Sequence, residues 1–271
     1  MTGQHDPHRW ALPDLPSALA WCNDRTDEDI RGILHPLGEF ARSQSEAEEA
    51  AEAYIACAAA IADAGTGASV AVKPTALGIS FDPDRAAEIF RTVLDACAGD
   101  GVAVECDMEG SPTVSPTIRM ALAAANEGHT FTIALQSYLT RTAEDIARAT
   151  GAGLTVRLVK GAYLGDLRDR EEIRRAYRNH LLLLARQQHA FCIGTLDRSV
   201  IHWAQENFPD ARDRIEFGFL KGIGERTAAH MAADGWRIAQ YIPFGNDGGI
   251  YARRREIYLN LLARSGEAPL H

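Results

Sequence analysis

From about residue 69 the chain alternates short runs of β-branched and apolar residues with longer stretches whose apolar positions recur at helical spacing. Strands are expected at SVAVKP (69–74), VAVECD (102–107), TFTIAL (130–135), LTVRLVK (154–160), AFCIG (190–194), RIEFGF (214–219) and WRIAQYIP (236–243). Helix patterns lie between them. DPDRAAEIFRTVLDACAG opens on an aspartate suited to an N-cap and ends at glycine, and TAEDIARATG closes the same way. RGILHPLG (31–38) supplies a weaker first strand. It precedes the alanine-rich helix SEAEEAAEAYIACAAAIADAG, in which Ser45 and Glu48 stand at capping-box spacing.

Strand and helix together take roughly thirty residues, the size of a βα unit. With the first strand included, the pattern predicts a closed (β/α)8 TIM-like barrel after a helical lead-in. The barrel is expected to occupy residues 1–271 as one domain, with 1–29 as an N-terminal extension. An open doubly wound sheet is the alternative, but no strand is followed by GxGxxG; GAG (151–153) and GTG (65–67) do not complete it.

Composition narrows the function classes. Hydrophobic residues at 46% and charged residues at 24% are ordinary globular values, and no apolar run has the length of a membrane span. A net charge of −9 argues against a nucleic-acid surface, which needs clustered lysine and arginine. The five cysteines (22, 57, 97, 106 and 192) are scattered and never form CxxC, so neither a disulfide framework nor a zinc site is expected. The histidines show no HxxxH or HExxH spacing, and no metal is expected. MTGQHDPHRW lacks the layout of an export signal, and a reducing cytoplasm is the expected location.

In a barrel, chemistry sits where strands run out into βα loops. Lys73, Asp107, Glu109, Gln136, Arg157, Lys160, Thr195, Lys221 and Tyr241 all stand at or near such strand ends. Any one of them reads as the solvated start of a loop, whereas their convergence on one mouth reads as a site. Gln136 is the most telling, because an amide within an apolar and aromatic run must find partners if buried. A second cluster, YIPFGNDGGIYARRREIYLNLL (241–262), puts Arg254 and Arg255 on the last helix; guanidinium forks there clamp a carboxylate if the helix lies over the mouth.

RLVKGAY (157–163), SVAVKPTALG, ECDMEGSP, ALQSYLTRT, and the closing YIPFG with YARRR resemble the proline dehydrogenases, flavoenzymes on a distorted (β/α)8 barrel; the likeness is closest to the short monofunctional form. It covers about residues 30–263. The resemblance implies an FAD-dependent dehydrogenase that oxidises L-proline to 1-pyrroline-5-carboxylate by hydride transfer to flavin N5. It makes Lys73, Asp107 and Arg157 catalytic, with Arg157 near N5. Met108, Gln136, Val159, Lys160, Gly161, Ala162, Thr195 and Leu196 would hold the cofactor. Arg254 and Arg255 would grip the substrate carboxylate, while Lys73, Asp107, Tyr163, Leu220 and Tyr241 would enclose its ring and nitrogen. A quinone is the implied electron acceptor, with peripheral contact at the inner membrane, although no basic amphipathic stretch points to a membrane surface.

The chain departs from the family pattern at three places. Leu196 follows Thr195 where a histidine is usual, so Asp197 or Arg198 is expected to compensate in holding the cofactor; Gly248 and Gly249 replace bulky aromatic residues, and Tyr258 replaces an acid. These changes leave room for a related small amino acid as substrate. Two other classes stay open: a non-catalytic barrel that binds flavin or amino acid, and an aldolase-type barrel with Lys73 or Lys160 forming a Schiff base.

Overall fold

A computed structural model describes residues 8–246 and 248–264, without the side chains of Ile250, Arg254, Tyr258 and 260–264. Eight parallel strands, β1 (Ile30–Pro36), β2 (Ser69–Val72), β3 (Val104–Cys106), β4 (Thr132–Gln136), β5 (Thr155–Val159), β6 (Phe191–Gly194), β7 (Ile215–Leu220) and β8 (Arg237–Phe244), pair in chain order. β1 closes the barrel by pairing with β8 along its whole length, from Ile30 against Ile238 to Pro36 against Phe244.

Parallel neighbours need crossovers, and helices supply them: α2 (Gln44–Ala64), α3 (Pro83–Gly99), α4 (Ser111–Asn126), α5 (Thr142–Gly151), α6 (Arg170–Arg186), α7 (Arg198–Asn207) and α8 (Glu225–Ala233). α3 shows why the sequence folds this way. Asp82 accepts from Arg85 N, Pro83 sits at the first helical position, and Ala86, Ile89, Phe90, Val93, Leu94 and Cys97 form one buried stripe. The cap of α2 lies two residues earlier than the spacing suggested: Ser43 accepts from Glu46 N, and the Glu46 carboxylate reaches back to Arg42 N at 2.7 Å. Ser45 and Glu48 are already inside the helix, where they bond Glu49 and Gln44 on its surface.

The lead-in is integral to the ring. α1 (Leu15–Thr26) buries Ala18 and Cys22 against β1 and β8, and Leu12 forms a parallel bridge to Phe244 at the upper end of β8. α9 (Gly248–Arg264) follows β8 and begins against Ala11.

The two faces of the strands differ. Outward residues such as Val72, Ile133, Leu158, Ile193 and Phe217 join the helices in one large apolar core. Inward, only Ile33, Ala71 and Ala239, with Tyr241 against them, form a small apolar island. Charged and polar side chains, among them Arg31, Glu105, Asp107, Arg157, Gln136 and Glu216, take much of the rest of the inner face. All five cysteines are free and buried.

Candidate functional site at the barrel mouth

Side chains alternate along a strand, so residues two apart share a face. On β3 and its extension this places Glu105 and Asp107 inward, one above the other; on β5 it places Arg157 inward beside them. Arg157 Nη1 meets Glu105 Oε2 at 2.5 Å, and Nη2 meets Asp107 Oδ1. The second oxygen of Asp107 accepts from Tyr241 OH at 2.7 Å and lies 3.3 Å from Lys73 Nζ. Lys73 also faces Glu39 at 3.6 Å. Lys73, Asp107, Arg157 and Tyr241, each named from its strand end, therefore form one buried cluster at the C-terminal end of the barrel.

The charges in this cluster support one another. Burial alone would raise Asp107, but Lys73 and Arg157 override it and hold the carboxylate below its usual range. Burial would lower Lys73, and Asp107, Glu109 and Glu39 instead keep its ammonium charged. Burial also pushes Tyr241 well up, helped by Asp107.

Gln136 is fully enclosed and donates to the carbonyls of Met108 and Glu109 at 3.3 and 3.1 Å, while its Oε1 has no partner among the described residues. Glu109 points elsewhere: its carboxylate accepts from Thr75 N and Oγ1 at 2.8 and 2.7 Å and pins the turn Pro74–Leu77. Lys221 also leaves the site, since its ammonium donates to the carbonyls of His8 and Arg9 and lies 4.0 Å from the Trp21 ring centre. It anchors the lead-in.

The loop after β5 explains RLVKGAY. Gly161 and Gly165 flank the Tyr138 ring so closely that a Cβ at either would run into it, and Gly161 adopts φ +124°. Tyr138 OH accepts from Tyr163 N at 3.1 Å, which sets Tyr163 on the rim. Lys160 and Arg174 both reach the Asp197 carboxylate beside the loop after β6, and Arg174 also pairs with Glu171. Thr195 Oγ1 accepts from Asp197 N at 3.2 Å, and Leu196 packs against the core.

β6 and β7 carry Gly194 and Gly218 at the inward positions above Cys192 and Glu216, and the Val159 side chain lies over Gly194. On α9, Arg255 lies 4.7 Å over the Tyr251 ring. The Arg254 side chain lies outside the described residues.

The strand-end reading missed His35. Its ring is completely buried, 5.5 Å from that of Tyr241, with Nδ1 bonded to Ala71 O at 3.2 Å and Nε2 without a partner. Burial, and then Lys73, push it down to about 4. The period of β1, Arg31, Ile33, His35, carried the signal, but HP inside a weak strand masked it. Arg31 was missed as well. It lies at the opposite end, where a cavity of about 550 Å³ is lined by Arg31, Glu105, Thr132, Thr155, Cys192 and Glu216. The N-terminal face of such barrels serves stability, so the mouth is the candidate active site.

A flavin fits this mouth on two observations: the orphaned Gln136 Oε1, and the side-chain-free inward positions Gly194 and Gly218. A family model described as Proline dehydrogenase matches residues 18–189. Proline dehydrogenase 2 of Bacillus subtilis (strain 168) is 26% identical over 249 residues, covering 89% of this chain and 82% of its own length. Proline dehydrogenase of Deinococcus radiodurans is 28% identical over 254 residues, with 89% and 82% covered. Among solved structures, proline utilization A from Bdellovibrio bacteriovorus, inactivated by N-propargylglycine, superposes with a TM-score of 0.83 at 20% identity. That match covers 93% of this chain but 32% of the other, so the chain spans about a third of that protein and shares its barrel fold.

Proposed function

The chain belongs to the proline dehydrogenase family, and from that premise we propose that it oxidises L-proline to 1-pyrroline-5-carboxylate with FAD as its flavin. The observation that carries this reading is the buried Lys73, Asp107, Arg157 and Tyr241 cluster at the open mouth, beside an amide oxygen that lacks a partner.

The flavin, when bound, supplies the two-electron acceptor for the C–H bond beside the ring nitrogen. Gln136, Met108 and Val159 would hold its ring. Lys160, with Thr195, Gly161 and Ala162, would hold its phosphates. Asp197, which caps α7 and accepts from Lys160 and Arg174, would compensate for Leu196 by ordering this loop. Arg157, fixed between two carboxylates, places a permanent positive charge where an electron-rich reduced ring would need it.

For the substrate, Tyr241 and Tyr163 form rim walls with Leu220, and Arg254 and Arg255 would clamp the carboxylate. Lys73 and Asp107 hold each other charged and set the field around the substrate nitrogen. The same pairing argues against a Schiff base at Lys73, because an amine kept protonated is no nucleophile. A quinone as electron acceptor, and a cytoplasmic protein in peripheral contact with the inner membrane, extend the family reading. No helix among the described residues is long and apolar enough to cross a membrane.

The test is anaerobic. Purified protein should show flavin absorbance that bleaches on L-proline and more slowly with other small amino acids. Bound flavin that no amino acid reduces would leave a binding barrel in place of a dehydrogenase.

A further inference from the structure

We propose that Glu105 is a positioning residue for this reaction: from beneath the site it fixes the Arg157 guanidinium and limits the positive charge presented at the mouth. Its functional consequence rests on the flavin reading above; its geometry does not.

Arg157 sits between two jaws. The upper jaw, Asp107, is shared with Tyr241 and Lys73, all three of which face the substrate space. The lower jaw, Glu105, serves no group at the mouth except Arg157. Its other oxygen accepts from Ser69 Oγ at 2.9 Å and Arg31 Nη2 at 2.8 Å. Arg31 is in turn chelated by Glu216, at 3.0 Å through Nε and 2.7 Å through Nη2. The result is a column of alternating charge along the inside of the barrel: Arg31, Glu105, Arg157, Asp107, Lys73.

Alternation makes the column rigid. Each charge is held from both sides. Without Glu105, Arg157 would keep only a carboxylate already shared three ways, and would face Arg31 across the gap with no anion between them. Like charges in a low-dielectric interior repel strongly. Arg157 would then be pushed toward the mouth and become more mobile there. Buried ion pairs contribute little net stability compared with apolar packing, so a column of them is better explained by the geometry it imposes on Arg157.

Glu105→Gln, which keeps the size and removes the charge, tests this, with Glu216→Gln as a control that touches Arg31 but not Arg157. Two readouts are used: the midpoint potential of the bound flavin, and the rate at which phenylglyoxal modifies Arg157, followed by peptide mass spectrometry. Glu105→Gln should favour the reduced flavin about tenfold, which is roughly 30 mV for a two-electron couple. It should also speed Arg157 modification several-fold and lower kcat more than it changes KM. Glu216→Gln should leave the potential and the Arg157 reactivity near wild type.

An unchanged potential and unchanged Arg157 reactivity in Glu105→Gln, with only a lower melting temperature, would reduce Glu105 to a structural role and overturn the proposal. Equal shifts in both variants would overturn it too, replacing positioning by a long-range field. If Glu105→Gln does not fold, Ser69→Ala, which removes one hydrogen bond to Glu105 and one to Arg31, should shift both readouts in the same direction by less; no shift counts against the idea. Wild-type protein that binds no flavin sinks the flavin reading alone, and Arg157 reactivity still decides the positioning.

Discussion

The inner and outer faces of the same eight strands obey different rules. Outward, Val72, Leu158 and Phe217 meet helices in a continuous apolar core, as parallel strands covered by crossovers should. Inward, the usual branched aliphatic layers of a barrel shrink to Ile33, Ala71 and Ala239, and ionised groups take their place. Burying charge costs free energy unless every partner is present. The outer face therefore accounts for the fold, and the inner face makes sense only as machinery.

Substitutions on opposite faces of one barrel test this division most severely. Arg157→Met leaves Glu105 and Asp107 as buried carboxylates without their common cation. It should cost about 3–5 kcal/mol in urea unfolding and lower kcat/KM at least 100-fold, an electrostatic loss of about 3 kcal/mol or more. Phe217→Ala on the outer face should cost a similar 3–5 kcal/mol through its cavity, yet leave flavin content and KM near wild type when assayed well below the melting point. If Phe217→Ala alters KM as much as Arg157→Met does, the two faces are not separable.

A pH titration sharpens the comparison. His35 is held at about 4 inside the barrel, below the roughly 6.5 of an unfolded histidine. The unfolded chain therefore binds the extra proton first as pH falls. His35 contributes its full stability above pH ~6.5 and loses it progressively down to about pH 4, a total of roughly 3 kcal/mol. His35→Gln, which can still donate to Ala71 O, should flatten that slope in melting temperature measured against pH. Asp107, depressed as well but from a lower starting value, keeps its contribution above about pH 4 and loses it only in stronger acid, so the two groups separate on the pH axis.

The smallest effect belongs to the surface. Arg85 bridges Glu48 and Glu88 from a side chain that is 40% exposed. Arg85→Ala should change stability by no more than about 0.5–1 kcal/mol by denaturant unfolding.

Much of the fold was legible because the outward face imposes apolar periodicity on each strand. All eight expected strands form, although β3 shortens to Val104–Cys106. The strand-end residues Lys73, Asp107 and Tyr241 were legible for the same reason, since a polar residue closing an apolar run stands out. Glu109 and Lys221 look the same in the sequence but turn to Thr75 and to the lead-in, because partners from distant segments claim them. Glu105 was hidden inside its strand. Its contact Arg31 lies 74 residues away, and Glu216 a further stretch along, 185 residues from Arg31.

The amino-acid order by itself determined that this is a barrel of alternating strands and helices, and which polar residues end the strands, because burial of the outer face and capping of the helices are local in character. Only the closed tertiary structure decided which of the inward charges meet. That depends on the register with which β1 pairs to β8 and β3 to its neighbours, where a slip of one residue would exchange the two faces.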